Sequence, residues 1–340
     1  MITTDIYAAL APILARYDRN QIVFVADRAL DFSCLPSYPT LLLSAGEADK
    51  SLESVQQIWE FLFAHAITRR GLMVCIGGGT ITDIGGFAAA TYKRGMDYCN
   101  IPTTLLAIVD ASTGGKTGIN YHGIKNSIGA FHSPVETVIW PEWLRTLPPH
   151  ELLSGYAEML KTGLLDKGGL WYRLLQFDLD ARVSDAQLAQ LSELIAACVE
   201  VKVQIVENDS HETGLRKALN LGHTFGHALE ELSLTGEAGL PHGYAVIYGL
   251  VAELYLSVTL SGCPREALQQ LTQLMLHYYG RPDCKCSDLE RLLLLMQQDK
   301  KNEHTAEINC TLLREIGEPV INQVITPDQA REALDYLFSL

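Results

Sequence analysis

The chain has 340 residues, 48% hydrophobic and 19% charged, with a formal net charge of −14. That length predicts about two domains at roughly 100–200 residues each, and the composition supports a substantial core. The acidic balance without a basic stripe argues against a nucleic-acid binder, and no apolar run reaches the roughly 20 residues needed to span a bilayer. Met1 to Arg16 lack a basic stretch followed by a long apolar one, so no leader is expected. These features predict a cytoplasmic protein with no membrane and no nucleic-acid partner. The eight cysteines are scattered and are expected as reduced thiols, and Cys284-Lys-Cys286 has no second pair at zinc spacing.

Ile22–Ala26 reads as a buried strand, and Thr40–Ser44 as a second. Only thirteen residues separate Ala26 from Thr40, and Pro36 and Pro39 among them oppose a helix there. Ser51–Ala66 carries helical apolar spacing at Leu52, Val55, Ile58, Trp59 and Leu62. Leu72–Ile76 is a third buried strand, and Thr80–Tyr92 a helix. Near-continuous apolar strands alternating with helices predict a parallel sheet covered on both faces. Beyond Pro148-Pro149 the pattern turns helical, with candidates at His150–Leu165, Asp185–Asn208, Lys217–Leu232, His242–Ser261, Pro264–Tyr278 and Asp288–Gln298. The expected architecture is an α/β nucleotide-binding domain with a parallel sheet over 1–147, followed by an all-α metal- and substrate-binding domain over 148–340.

Three clusters carry chemistry. Gly77-Gly78-Gly79-Thr80 follows a buried strand and opens a helix, where glycine permits close backbone approach and free N–H groups can meet a phosphate. The stretch from Ile101 to Asn126 concentrates Thr103, Thr104, Asp110, Lys116, Lys125 and Asn126 between apolar runs. Its Gly114-Gly-Lys-Thr117 string lacks the first P-loop glycine and no buried strand leads into it, so it is not read as a P-loop. In the third cluster Glu158 and Lys161 stand at i and i+3 on one expected helix, His223 and His227 at i and i+4 on another, and His242 opens a third. Three histidines with an intrahelical carboxylate make a metal site the better reading, with zinc the fitting ion. Spacing alone points to the pair His223 and His227 and leaves open whether both bind.

These strings together resemble the 3-dehydroquinate synthases. The resemblance is carried by GGGTITDIGGFAAATYKRG (77–95), IPTTLLAIVDASTGGKTGIN (101–120), KNSIGAF (125–131), LRTLPPHELLSGYAEMLKTGLL (144–165), KVQIVENDSHETGLRKALNLGHTFGHALE (202–230), LPHGYAVIYG (240–249) and DKKN (299–302). It implies Glu158, His223 and His242 as zinc ligands, with cobalt a possible substitute, and His227 as a proton-transfer group that does not ligate. It implies NAD held by Glu47, Lys50, Gly77, Gly78, Gly79, Thr80, Asp83, Thr103 and Thr104. Asp110, Lys161 and Glu212 would meet substrate hydroxyls, and Lys116, Asn126, Asn220, His227 and Lys300 the phosphate. Lys125 would lie between cofactor and substrate, with Asp110 and Lys116 also near the cofactor. Lys202 and Arg216 would bind the substrate carboxylate, and Arg94 would reach a partner's site in a homodimer. The implied reaction transiently oxidises a substrate alcohol, eliminates phosphate, returns the hydride and closes the ring by an intramolecular aldol step. Cyclases acting on carboxylate-free sugar phosphates, zinc polyol dehydrogenases and a non-catalytic scaffold are the rival readings. The segment 27–39 is shorter than the family's crossover and predicts a looser hold on the adenosine end of NAD.

Overall fold

The computed structural model describes the chain apart from residues 180–182, 211, 235–238 and 299–306. Two compact units form, Met1–Leu147 with Arg182–Ser192, and Pro148–Ala181 with Glu193–Leu340.

In the first unit, strands β1 (Ile22–Asp27), β2 (Thr40–Leu43), β3 (Leu72–Gly77), β4 (Asp97–Pro102) and β7 (Glu136–Thr137) build one sheet in the order β2-β1-β3-β4-β7, every pair parallel. Successive strand side chains point to opposite faces. Val23 and Val25 accordingly join helices α2 (Leu52–Ala64) and α3 (Gly79–Thr91) on one face, while Ile22, Phe24 and Ala26 join α1 (Ile6–Leu14) on the other. Residues 28–39 contain no helix, in keeping with their two prolines. Because β1 lies between β2 and β3, the chain reverses direction of travel across the sheet there, the position where open α/β sheets take ligands at strand C-termini. A hairpin of β5 (Lys116–Tyr121) and β6 (Ile124–Phe131) follows, closed by His122 and Gly123, both at positive φ. The small, polar segment 101–126 is therefore partly strand, a pairing its composition does not announce.

The second unit contains α4 (Pro149–Leu165), α5 (Leu170–Leu175), most of α6 (Asp185–Asn208), α7 (His223–Ser233), α8 (His242–Leu260), α9 (Arg265–Tyr278), α10 (Leu289–Gln297) and α11 (Pro327–Ser339). Two features correct the expectation. The half expected as all-α also holds an antiparallel hairpin, β8 (Ile308–Glu315) with β9 (Glu318–Ile325). The helix expected from Lys217 begins only at His223, because Gly222 turns left-handed at φ +82° after a short 3-10 stretch, Leu215–Asn220. A β-carbon at Gly222 would stand 2.7 Å from Leu250, so both the φ and the close packing require glycine. Helix α8 is long and apolar enough to cross a membrane, but 72% of that stretch is buried inside the protein, against α4, α7, α9, α11 and β8. It serves as the central helix of this unit.

Candidate active-site residues

In the first unit, the site residues gather at the C-terminal ends of β3 and β4. Gly77 pairs with Pro102 across the ladder, and the Thr103 N–H donates to the Gly77 carbonyl at 3.0 Å. The turn Gly77–Gly79 runs straight into α3, so free N–H groups of a 13-residue helix open onto it. A β-carbon at Gly78 would come within 3.1 Å of Thr104, which leaves backbone alone to face a ligand. Beside this turn the buried Lys50 and the half-buried Asp83 form an ion pair at 2.5 Å. Burial pushes the Asp83 carboxyl up, and Lys50 pulls it back down only in part. Glu47 begins the 3-10 turn that ends at Lys50 and lies 3.9 Å from Lys125. Asp110 sits half-buried in a π-helical turn, Ala107–Ala111. Lys116 opens β5 and is exposed, and Asn126 adopts a positive φ of 50° on β6. Arg94, also at positive φ, lines a cavity of about 340 Å³ with Arg69, Phe131 and His132.

In the second unit, three elements converge on one point. Helix α4 contributes Glu158, 1% exposed, and the first residues of α7 and α8 are His223 and His242. Their ligand atoms all lie within 4.8 Å of one another. Nε2 of His223 is 3.5 Å, and Nε2 of His242 3.4 Å, from the same Glu158 oxygen. The opposite ring nitrogens are tied back: Nδ1–H of His223 donates to the Leu221 carbonyl at 3.1 Å, and Nδ1–H of His242 to Glu230 at 3.2 Å. That fixes both tautomers and aims both Nε2 atoms inward, the arrangement metal-binding histidines adopt. Two imidazoles and one carboxylate suit zinc and leave a coordination position open. Lys161 pairs with the other Glu158 oxygen and is equally buried. Burial alone would lower the His242 pKa, but hydrogen bonds and charge from Glu158 and Glu230 raise it to about 10. The pocket thus favours a cation in contact with these groups.

His227 lies one turn along α7, its ring 5.2 Å from that of His223 and 6.2 Å from that of His242, outside the ligand cluster. Arg216 is 2% exposed in the 3-10 stretch that packs against α4, and its Nη1 donates to the Ser210 carbonyl at 2.7 Å. Asn220 donates to Glu212 at 3.2 Å, and Glu212 itself holds a positive φ of 59°. Lys202 is buried on α6. Lys300 and Lys301 lie outside the described residues.

Three contributors escaped the sequence reading. Glu230 holds His242; Asp209 accepts the N–H groups of Thr213, Gly214 and Arg216 at 2.7–3.0 Å; and Glu253, fully buried on α8, accepts those of Gly222 and Thr224. Burial acts against ionised Asp209, but those N–H groups bring its pKa down to about 2. A lone acid inside the apolar run of α8 was the available signal for Glu253.

A parallel sheet ending in a glycine turn, joined in one chain to a helical unit with a buried carboxylate–histidine cluster, defines a class of metal-assisted α/β-plus-helical enzymes. Family models narrow it: 3-dehydroquinate synthase N-terminal matches residues 40–154 and 3-dehydroquinate synthase C-terminal matches residues 155–302. A 3-dehydroquinate synthase of Parabacteroides distasonis is 41% identical over 99% of this chain and 96% of its own length. One from Pyrococcus furiosus is 39% identical over 86% of this chain and 85% of its own. Among solved structures, 2-epi-5-epi-valiolone synthase from Streptomyces hygroscopicus with NAD+ and Zn2+ bound superposes with a TM-score of 0.85 at 25% identity, covering 100% of this chain and 96% of that one. A probable glycerol dehydrogenase from Sinorhizobium meliloti shares the fold alone, with a TM-score of 0.65 at 14% identity, covering 99% of this chain and 95% of that one. The chain belongs to the 3-dehydroquinate synthase family.

Proposed function

We propose that this chain converts 3-deoxy-D-arabino-heptulosonate 7-phosphate to 3-dehydroquinate and phosphate, with NAD and a divalent metal, zinc or cobalt, as its cofactors. The observation that carries the reading is the cluster of buried Glu158 and His223 with half-buried His242, beside Lys161, in a chain that matches the family across both halves. NAD would be held in the first unit by the Gly77–Gly79 turn with Thr80, Thr103 and Thr104, and by Glu47, Lys50 and Asp83. The metal would be held in the second by the three-residue cluster. Bound there, these groups supply reversible hydride acceptance and Lewis acidity toward a substrate hydroxyl.

The remaining work falls to side chains. Lys161 pairs with Glu158 and would donate toward a substrate hydroxyl, and the family resemblance gives Asp110 and Glu212 the same kind of role toward other hydroxyls. Arg216 and Lys202, both buried, offer the substrate carboxylate a desolvated cationic seat, where a guanidinium fork is worth most. The family resemblance gives Lys116, Asn126, Asn220 and Lys300 a role toward the phosphate, Lys125 a role toward substrate and cofactor, and His227 a role in proton transfer. Holding one flexible molecule through several steps is mainly a gain in orientation. We further propose a homodimer in which Arg94 serves the neighbouring site. In support, Tyr121, Ile124, Ile128 and Phe131 of the hairpin are exposed, and Phe131 lines the same cavity as Arg94. A cytoplasmic location accords with Cys75, Cys99, Cys198 and Cys263 being buried thiols without a disulfide among the described residues.

The test is incubation with the seven-carbon acid phosphate, NAD and zinc, following phosphate and NADH together. Phosphate release without net NADH supports the reading. Stoichiometric NADH marks a dehydrogenase, and phosphate only from sedoheptulose 7-phosphate marks a carboxylate-free cyclase.

A further inference from the structure

The β5–β6 hairpin is not regular. Ile119 pairs with Ile128 and Tyr121 with Ile124, so one residue of β5, Asn120, faces three of β6: Lys125, Asn126 and Ser127. Bulges of this kind re-aim side chains and recur beside active sites. Here the extra length projects Lys125 and Asn126, two residues with assigned roles in the proposed reaction.

Asn120 fills the gap this leaves. Its Oδ1 accepts the Asn126 N–H at 2.9 Å, standing in for the missing ladder bond while Asn126 holds its positive φ. Its own backbone N–H leaves the hairpin and donates to the Lys50 carbonyl at 2.8 Å. Its Nδ2 donates to the Glu47 carboxylate at 2.7 Å and to the Glu47 carbonyl at 3.3 Å. One carboxamide therefore ties the turn that presents Glu47 and Lys50 to the bulge that presents Lys125 and Asn126. Its two ends are not interchangeable, because Oδ1 must meet a donor and Nδ2 must meet a carboxylate.

We propose that Asn120 is a positioning residue that couples the cofactor-side turn, Glu47–Lys50, to the substrate-side bulge, Lys125–Asn126, through the donor–acceptor polarity of its amide. The proposal rests on the cofactor reading above. Asn120 is only half-buried, so its variants are expected to fold. Asn120→Asp keeps the acceptor for Asn126 but sets a carboxylate against Glu47; Asn120→Ala removes both links.

The experiment is calorimetric titration of NAD into zinc-loaded protein, paired with steady-state kinetics. Asn120→Asp is expected to weaken NAD about tenfold, and Asn120→Ala to lower kcat more than Asn120→Asp does, since Asn126 then loses its partner. The decisive arm reverses the polarity. In a Glu47→Gln background an amide again faces the new carboxylate, so adding Asn120→Asp should cost less than twofold in NAD affinity. An equal loss in both backgrounds would overturn the coupling, as would NAD affinity and kcat within twofold of wild type for Asn120→Asp and Asn120→Ala. Wild-type protein that takes up no NAD would bring down the cofactor reading itself, and this proposal with it.

Discussion

Replacing Glu253 by alanine deprives two backbone N–H groups of their acceptor where water does not reach. Glu253 is fully buried on α8 and accepts from Gly222 at 2.7 Å and from Thr224 at 3.2 Å, the two residues flanking His223. It thereby accepts from two donors at the start of α7, where the helix's own carbonyls supply none. Leaving a buried donor unmade costs about 1–3 kcal/mol, so two give about 2–6 kcal/mol before any cavity is counted. Set against a typical total stability of about 5–15 kcal/mol, that is a large fraction. Glu253→Gln keeps one acceptor oxygen and should lose about half as much. Both variants should loosen His223, and groups that orient a metal ligand typically cost about 10–100-fold in affinity when removed. Urea unfolding of metal-free protein reads the first effect, and calorimetric zinc titration of Glu253→Gln reads the second. Zinc affinity of Glu253→Gln within twofold of wild type, with Glu253→Ala losing under about 1 kcal/mol, would refute the argument.

Other outcomes follow from the same geometry. His223→Ala and His242→Ala should lose zinc and activity together, whereas His227→Ala should keep the metal and lose about 100-fold or more in kcat, as removal of a general acid–base group does; the reverse pattern in a metal assay would overturn the ligand set. Arg216→Lys should raise the KM for the acid phosphate about tenfold, because losing a charged hydrogen bond costs about 1.5–3 kcal/mol, and an unchanged KM would point to a carboxylate-free substrate. Asp209, with its pKa lowered to about 2, stabilises the fold above its unfolded value near 4 and loses that contribution as pH falls toward 2. The stability advantage of wild type over Asp209→Asn should accordingly be larger at pH 5 than at pH 3 in urea unfolding; equal advantages would show that Asp209 does not ionise this way.

Much of the first unit is legible in the sequence because its signals are local. Ile22–Ala26 and Leu72–Ile76 are apolar at every position, as strands buried on both faces must be, and the glycines after Ile76 mark the turn into α3. The pair Pro36 and Pro39 likewise foretells the helix-free segment before β2. The hairpin pairings are less visible. Lys116–Phe131 and Ile308–Ile325 pair through backbone and turn geometry, with side chains too mixed to show a period.

At the metal-type cluster, sequence spacing singles out His223 and His227, which share a face of α7. The family resemblance implies Glu158, His223 and His242 together; the residue pattern alone does not, and it is the tertiary structure that brings Glu158 from α4 and His242 from α8 to His223, with His227 outside the set. Helical periodicity reports which residues share one helix face; it carries nothing about which faces of three separate helices converge. The same holds for the residues that steady the site. Glu253, Glu230 and Asn120 look like an acid in an apolar helix, an acid at a helix end and a polar residue in a loop. Their roles come from contacts 31, 12 and 73 positions away in the chain. Those separations are closed by packing, which no local pattern of residues encodes.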